Sequence, residues 1–213
     1  MFVSPDFLIA LTMLTNFTLV ATSRVNKAIQ LVVVQGILLG LIPIAMGLGK
    51  HFHILLMAAS AIAVKGWLIP FLFRRALREV HIQREVDPYV GYTLSLLLCA
   101  LGTGLSLVLA HGLPLKPGTT PSFLVPAALA TLFTGFLLLV SRRKALTQVV
   151  GYLVLENGIY LFGLLLVEEM PVLVETGILL DLFVGVFIMG IVINHIRAAF
   201  DSTDTRRLAE LKD

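Results

Sequence analysis

The chain has 213 residues, of which 58% are hydrophobic and only 14% charged, with a formal net charge of +3 and a mean hydropathy of +0.96. A soluble domain carries roughly 25% charged residues, so this composition excludes an ordinary soluble protein and implies an integral membrane one. The basic balance does not point to nucleic acid, because the Lys and Arg residues fall in short gaps between apolar runs, where they mark membrane orientation.

A hydrocarbon core near 30 Å takes about 20 apolar residues per helix, which places spans at about 6–22, 28–49, 52–73, 90–112, 121–140, 146–167 and 172–196. The fold class is therefore all-α, with about seven transmembrane helices. No basic residue precedes the first span, whereas Arg24 and Lys27 follow it, so it reads as a retained helix rather than a cleaved signal peptide. Thirteen cations lie in the gaps on one side: Arg24, Lys27, Arg74, Arg75, Arg78, Arg84, Arg142, Arg143, Lys144, Arg197, Arg206, Arg207 and Lys212. Only Lys50 and Lys116 lie on the other, which sets the N-terminus outside and the C-terminus inside.

In the second span, Gly36-x-x-x-Gly40 offers a close approach to a neighbouring helix, and Pro43 is expected to bend the helix or free carbonyls. The third span, HILLMAASAIAVKGWLIPFLF, holds Lys65 about nine to twelve residues from its polar edges, too deep to snorkel easily. Gly66 and Pro70 follow, so the backbone is expected to bend at the charge. Such a lysine serves either an ion path or pairing with a neighbouring subunit. Residues 74–87 form a solvated inner loop. The fourth span is uncharged with small residues in its middle, a packing helix, and its single cysteine, Cys99, rules out an intrachain disulfide or a cysteine-built metal site. Pro114, Pro117 and Pro121 around Gly118 make a non-helical outer loop, and Pro126 is expected to kink the fifth span.

The sixth span contains Glu156 near its middle. A carboxylate there costs at least about 2.5 kcal/mol on insertion scales, so its default reading is functional. Tyr160 and Gly163 share its helix face. The seventh span carries Gly177, Asp181 and Gly185 four apart, a small–acid–small stripe that lets a backbone or water approach the acid. Glu175 stands near the outer edge of this span and His195 near the inner edge, both secondary candidates on a path.

The two halves echo each other. FTLVATSRVNKA resembles FLLLVSRRKA, and Lys65 follows Lys27 by about the interval at which Asp181 follows Lys144. A parallel repeat of three helices, the first to third and the fifth to seventh, is expected, as many transport folds are built. The chain then divides into an N-terminal unit at 1–75, a linking region with the fourth helix at 76–120, a second three-helix unit at 121–197 and a polar tail at 198–213.

Residues 141–197 resemble the three-helix NuoK-type subunit of respiratory complex I, also found in Mrp-type cation/proton antiporters. The likeness rests on Arg142-Arg143 at a helix start, Gly151, Asn157, and the acid and glycine of ILLDLFVGVF. That resemblance implies two buried acids serving proton transfer. Asp181 falls on the second acid position. The first falls at Leu153, and this chain has its acid three residues on, at Glu156. Over most of its length the chain resembles the hydrogenase-4 component E family, membrane subunits of formate hydrogenlyase-type group 4 nickel–iron hydrogenases. The resemblance implies a subunit with no cofactor of its own, the nickel–iron and iron–sulfur centres residing in partners. It also implies antiporter-like and quinone-subunit-like membrane neighbours and a peripheral hydrogenase module.

On this reading Lys65, Glu156 and Asp181 carry proton or cation transfer, and which acid meets Lys65 is left open. Alternatives are a structural anchor of the same type of complex or an Mrp-type antiporter subunit. A free-standing transporter is disfavoured by the chain's small size. Haem ligation by His51, His53 or His111 is disfavoured because such histidines are usually interfacial. No nucleophile–base set or phosphate-binding glycine loop is visible, so no catalytic residue is assigned.

Overall fold

Pro5 and Asp6 open the first helix as helix-start chemistry dictates: a proline whose missing N–H has no intrahelical partner, then an acid facing the positive end of the dipole. This helix, α1 (Pro5–Ala21), is followed after only Thr22, Ser23 and Arg24 by α2 (Val25–Ala45). So short a connector forces the two antiparallel. The computed structural model describes residues 4–47, 55, 58–59, 62–68, 71, 88–113, 121–166, 176–177, 183–185, 187 and 190. Beyond α2, these residues contain a π-helical turn at Val64–Leu68, α3 (Tyr92–His111), α4 (Leu124–Ser141) and α5 (Ala145–Leu166), and no β-strand. Helices α2 to α5 are each long and apolar enough to cross a bilayer, and α1 is a shorter apolar helix of 17 residues.

The helix limits differ from the expected ones for local reasons. Helix α2 reaches only Ala45 because Gly47 adopts φ 79, a left-handed position just past the helix end, with its N–H donating to Ile44 O. Pro43 lies within the last turn of α2. Pro126 does not interrupt a helix at all: it is the third residue of α4, in the first turn, where a missing N–H leaves no bond unmade. The expected kink there is therefore removed by the later start of the helix.

Helices α4 and α5 are likewise joined by only three residues, Arg142, Arg143 and Lys144. Thr22 and Arg142, the residues that close α1 and α4, are both extended, at φ −86, ψ 135 and φ −97, ψ 144. The α4–α5 pair packs most closely of all. A Cβ on Gly158 would lie 2.6 Å from Leu132 N, and one on Gly151 2.7 Å from Leu139 N. Gly135 of α4 likewise leaves no room beside the Leu155 backbone. Glycines thus bring two backbones into contact where apolar burial against lipid offers little drive.

Both connectors lie at the same end of the bundle, and α3 starts there too. Tyr89 N–H donates to Ser141 O at 2.8 Å, and the Arg142 guanidinium lies 4.6 Å from the Tyr92 ring centre. Arg142 is fully buried, with Nη2 donating to Val20 O at 2.6 Å, so it supplies a donor to the carbonyl end of α1. At the opposite end, Phe123 N–H donates to Asp6 Oδ1 and ties the start of α4 to that of α1.

Among the described residues the interior has two apolar cores, one above the other. The core at the connector end includes Leu19, Val20, Val25, Leu138, Leu146 and Val150. The other includes Ile9, Leu39, Ile42, Leu124, Ala128 and Leu161. On α1, α2, α4 and α5 alike, the residues between those two sets include buried polar ones: Asn16, Gln35, Thr131 and the Glu156-Asn157 pair. The functional question lies in that middle layer. The loop 74–87, the outer loop around Gly118, most of the seventh expected span and the C-terminal tail lie outside the described residues.

Candidate functional site

Lys65 sits in the π-helical turn, a wider coil that often marks a functional position. Its segment lies on the glycine pair of α2. A Cβ on Gly36 would stand 2.5 Å from Lys65 Cβ, and one on Gly40 would meet Ile62 and stand 3.2 Å from Ala58 O. The Gly36-x-x-x-Gly40 motif therefore seats a segment of the same chain, and the lysine stem lies where a larger residue at position 36 would have to be.

The amine reaches over α2 to α5. Lys65 Nζ lies 3.5 Å from Glu156 Oε1, with the two side chains 8% and 6% exposed. It donates to Asn157 Oδ1 at 2.6 Å and stands 5.4 Å from the Tyr160 ring centre. Glu156 and Tyr160 are one turn apart on α5. At 3.6 residues per turn, they point roughly 150° away from the Gly151–Gly158 face that meets α4. One face of α5 is thus given to backbone packing and another to the charge. Gly185 lies beside the acid: a Cβ added there would be 3.8 Å from Glu156 Oε2.

Asn157 extends the polar contacts inward. Its Nδ2 donates to Gln35 Oε1 at 2.9 Å, Gln35 Nε2 donates to Asn16 Oδ1 at 2.8 Å, and Asn16 Nδ2 donates to Thr131 Oγ1 at 2.9 Å. An unsatisfied amide in a bilayer core costs several kcal/mol, and here each amide uses both ends. Tyr160 Oη is buried with no hydrogen-bond partner among the described residues.

Of the residues singled out from sequence, Lys65 and Glu156 come together as an ion pair. Asp181, Glu175 and His195 lie outside the described residues, and Gly177 is exposed with nothing described within 4 Å of an added Cβ. Sequence reasoning missed Asn16, Gln35 and Thr131. The available signal was an amide inside each apolar run, in LTNFT and VVVQGIL, which a membrane helix tolerates only with a partner.

Hydrogenase-4 component E of Escherichia coli K12 is 32% identical over 162 residues, covering 75% of this chain and 74% of that protein, with the same values for its Shigella flexneri counterpart. The chain belongs to the hydrogenase-4 component E family. An uncharacterised protein of Mycobacterium tuberculosis, Rv0085, is 31% identical over 214 residues, 98% of this chain and 96% of its own. No family model and no solved structure matches the chain. As a component E family member with four bilayer-length apolar helices among the described residues, the protein is a multi-pass membrane protein.

Proposed function

We propose that this protein is a membrane-arm subunit of a complex I-related, formate hydrogenlyase-type nickel–iron hydrogenase, and that Lys65 and Glu156 take part in proton transfer coupled to electron transfer elsewhere in the complex. The observation that carries the proposal is the amine–carboxylate pair, 3.5 Å apart and almost wholly buried between two apolar cores. A membrane protein keeps such a pair at a cost, and titratable groups at this depth are typically on ion paths. A proton arriving at Glu156 would cancel its charge and leave the Lys65 ammonium uncompensated, which pushes the next proton onward. Asp181, on the seventh segment with Gly185, is the proposed next acid, with Glu175 and His195 toward the two surfaces. Antiporter-like and quinone-subunit-like subunits and a peripheral hydrogenase module are the proposed partners, in a prokaryotic cytoplasmic membrane with the C-terminus inside.

A second reading has its own observation. The Lys65 stem packs on Gly36, so the pair also pins the 62–68 segment to α2 and α5, and a purely structural role would follow from that alone. Replacing Glu156 by Gln separates the two. The proposal expects an assembled complex that still forms hydrogen but no longer moves protons in inverted membrane vesicles. Normal proton movement in that variant refutes it.

A further inference from the structure

An ammonium has three donors and no acceptor. Asn157 must therefore turn its oxygen to Lys65, as it does at 2.6 Å, and its NH2 group is sent the other way. That NH2 requires an oxygen from Gln35, which sends Gln35 Nε2 to Asn16 Oδ1, which in turn sends Asn16 Nδ2 to Thr131 Oγ1. Every amide in the row has its oxygen toward Lys65 and its nitrogen away from it. Reversing any one alone would set like groups face to face. The row crosses α5, α2, α1 and α4, and all four of its residues are buried.

We infer that Asn157, Gln35 and Asn16 are positioning residues for Lys65, a one-directional amide row that fixes the oxygen on which the ammonium rests and so holds it against Glu156. The inference rests on the ion-transfer reading of Lys65. The row orients; carboxamides do not relay protons readily, so no proton passes along it. Its far end at Thr131 is a hydroxyl, which can donate or accept, so the direction is set from the lysine end.

Position 35 provides the test. Gln35→Met keeps the length of the side chain and removes both polar contacts. Gln35→Lys offers only donors and forces Asn157 to turn its oxygen away from Lys65. Gln35→Glu still accepts from Asn157 Nδ2; Asn16 can turn over to donate to the second carboxylate oxygen, and Thr131 can donate back to Asn16 Oδ1. In the assembled complex in inverted vesicles, proton movement per hydrogen formed should fall roughly tenfold or more in Gln35→Met and Gln35→Lys. Gln35→Glu should retain most of it. A packing role predicts the reverse order, Met best and Glu worst, and that order would overturn the inference. Where Gln35→Met does not assemble, Asn16→Asp against Asn16→Leu makes the same comparison one step along the row, coupling being retained only with Asp. Lys65→Met is measured alongside. Unchanged proton movement in Lys65→Met refutes the ion-transfer reading, whereas loss there with no loss in Gln35→Met refutes the positioning role alone.

Discussion

The Lys65–Glu156 pair makes a quantitative prediction through a double-mutant cycle. At 3.5 Å the two charges attract by roughly 4–5 kcal/mol at an effective dielectric of 20. Each group gives up several kcal/mol of hydration to be there, so the pair as a whole contributes little net stability. Removing one member is different, because the other remains buried and charged. Lys65→Met keeps the stem against Gly36 but takes the amine from Glu156 and from Asn157 Oδ1. Glu156→Gln leaves the amine facing a neutral amide. Each single substitution should therefore destabilise the assembled complex by about 3–5 kcal/mol. The double variant leaves no buried charge unpaired, so it should cost less than the sum of the two by about 3–5 kcal/mol or more and be at least as stable as either single variant. Melting of the detergent-solubilised complex, followed by loss of its size-exclusion peak, measures the stability side. Proton movement in vesicles measures the other. The proposal expects the double variant to regain stability but not coupling. Additivity within about 0.5 kcal/mol would mean that the two side chains do not interact, and the reasoning fails at its first step.

Other substitutions test separate parts of the molecule. Gly158→Leu should abolish accumulation of the protein in membranes, since even a Cβ would press on the α4 backbone, whereas Gly104→Ala, with nothing described within 4 Å, should be neutral or stabilising by up to about 1 kcal/mol. Arg142→Met should lower stability by roughly 2–3 kcal/mol in the same melting assay through loss of its bond to Val20 O and its place on Tyr92, and Tyr92→Leu by no more than about 2 kcal/mol. Asp181→Asn should leave assembly intact on blue-native gels while reducing proton movement; normal coupling would remove Asp181 from the proposed path. Cys99, fully buried beside Thr134, should resist a membrane-permeant maleimide until the protein is denatured.

Much of this was legible because a bilayer makes a strict demand on composition. The apolar runs located α1 to α5 to within about four residues, since only long apolar helices satisfy their own backbone there. Lys65 and Glu156 were legible as charges too deep to reach water. Their pairing was not, because 91 residues separate them and the contact depends on how the third segment crosses α2. Gly36 and Gly40 announced a close approach without naming the partner. Pro126 misled because a proline reads as a kink only once the helix start is known. Asn16 and Gln35 were overlooked for a chemical reason: an uncharged amide hardly alters a hydropathy profile, yet it must find a partner once buried.

The amide row also bears on why the charge can be held at all. A lone lysine at this depth has no water to turn to, so its environment must be polar and fixed before the charge is. Four helices each supply a polar group at the same level, and none of these groups is satisfied unless all four helices are in register. In membranes such hydrogen bonds contribute about 0.6 kcal/mol each on average, too little for the row to be explained by stability. Specificity of register explains it better: a slip of α2 by one turn would bring Leu31 or Leu39 to the level of Asn157 and strand its amide. The glycines act on the same coordinate from the other side. Gly36 admits the Lys65 stem, Gly185 leaves space beside Glu156 Oε2, and Gly151 and Gly158 clamp α5 to α4 so that its acid cannot turn away. Small residues set how near the backbones come, amides set their level, and the ion pair occupies a position where both conditions are met.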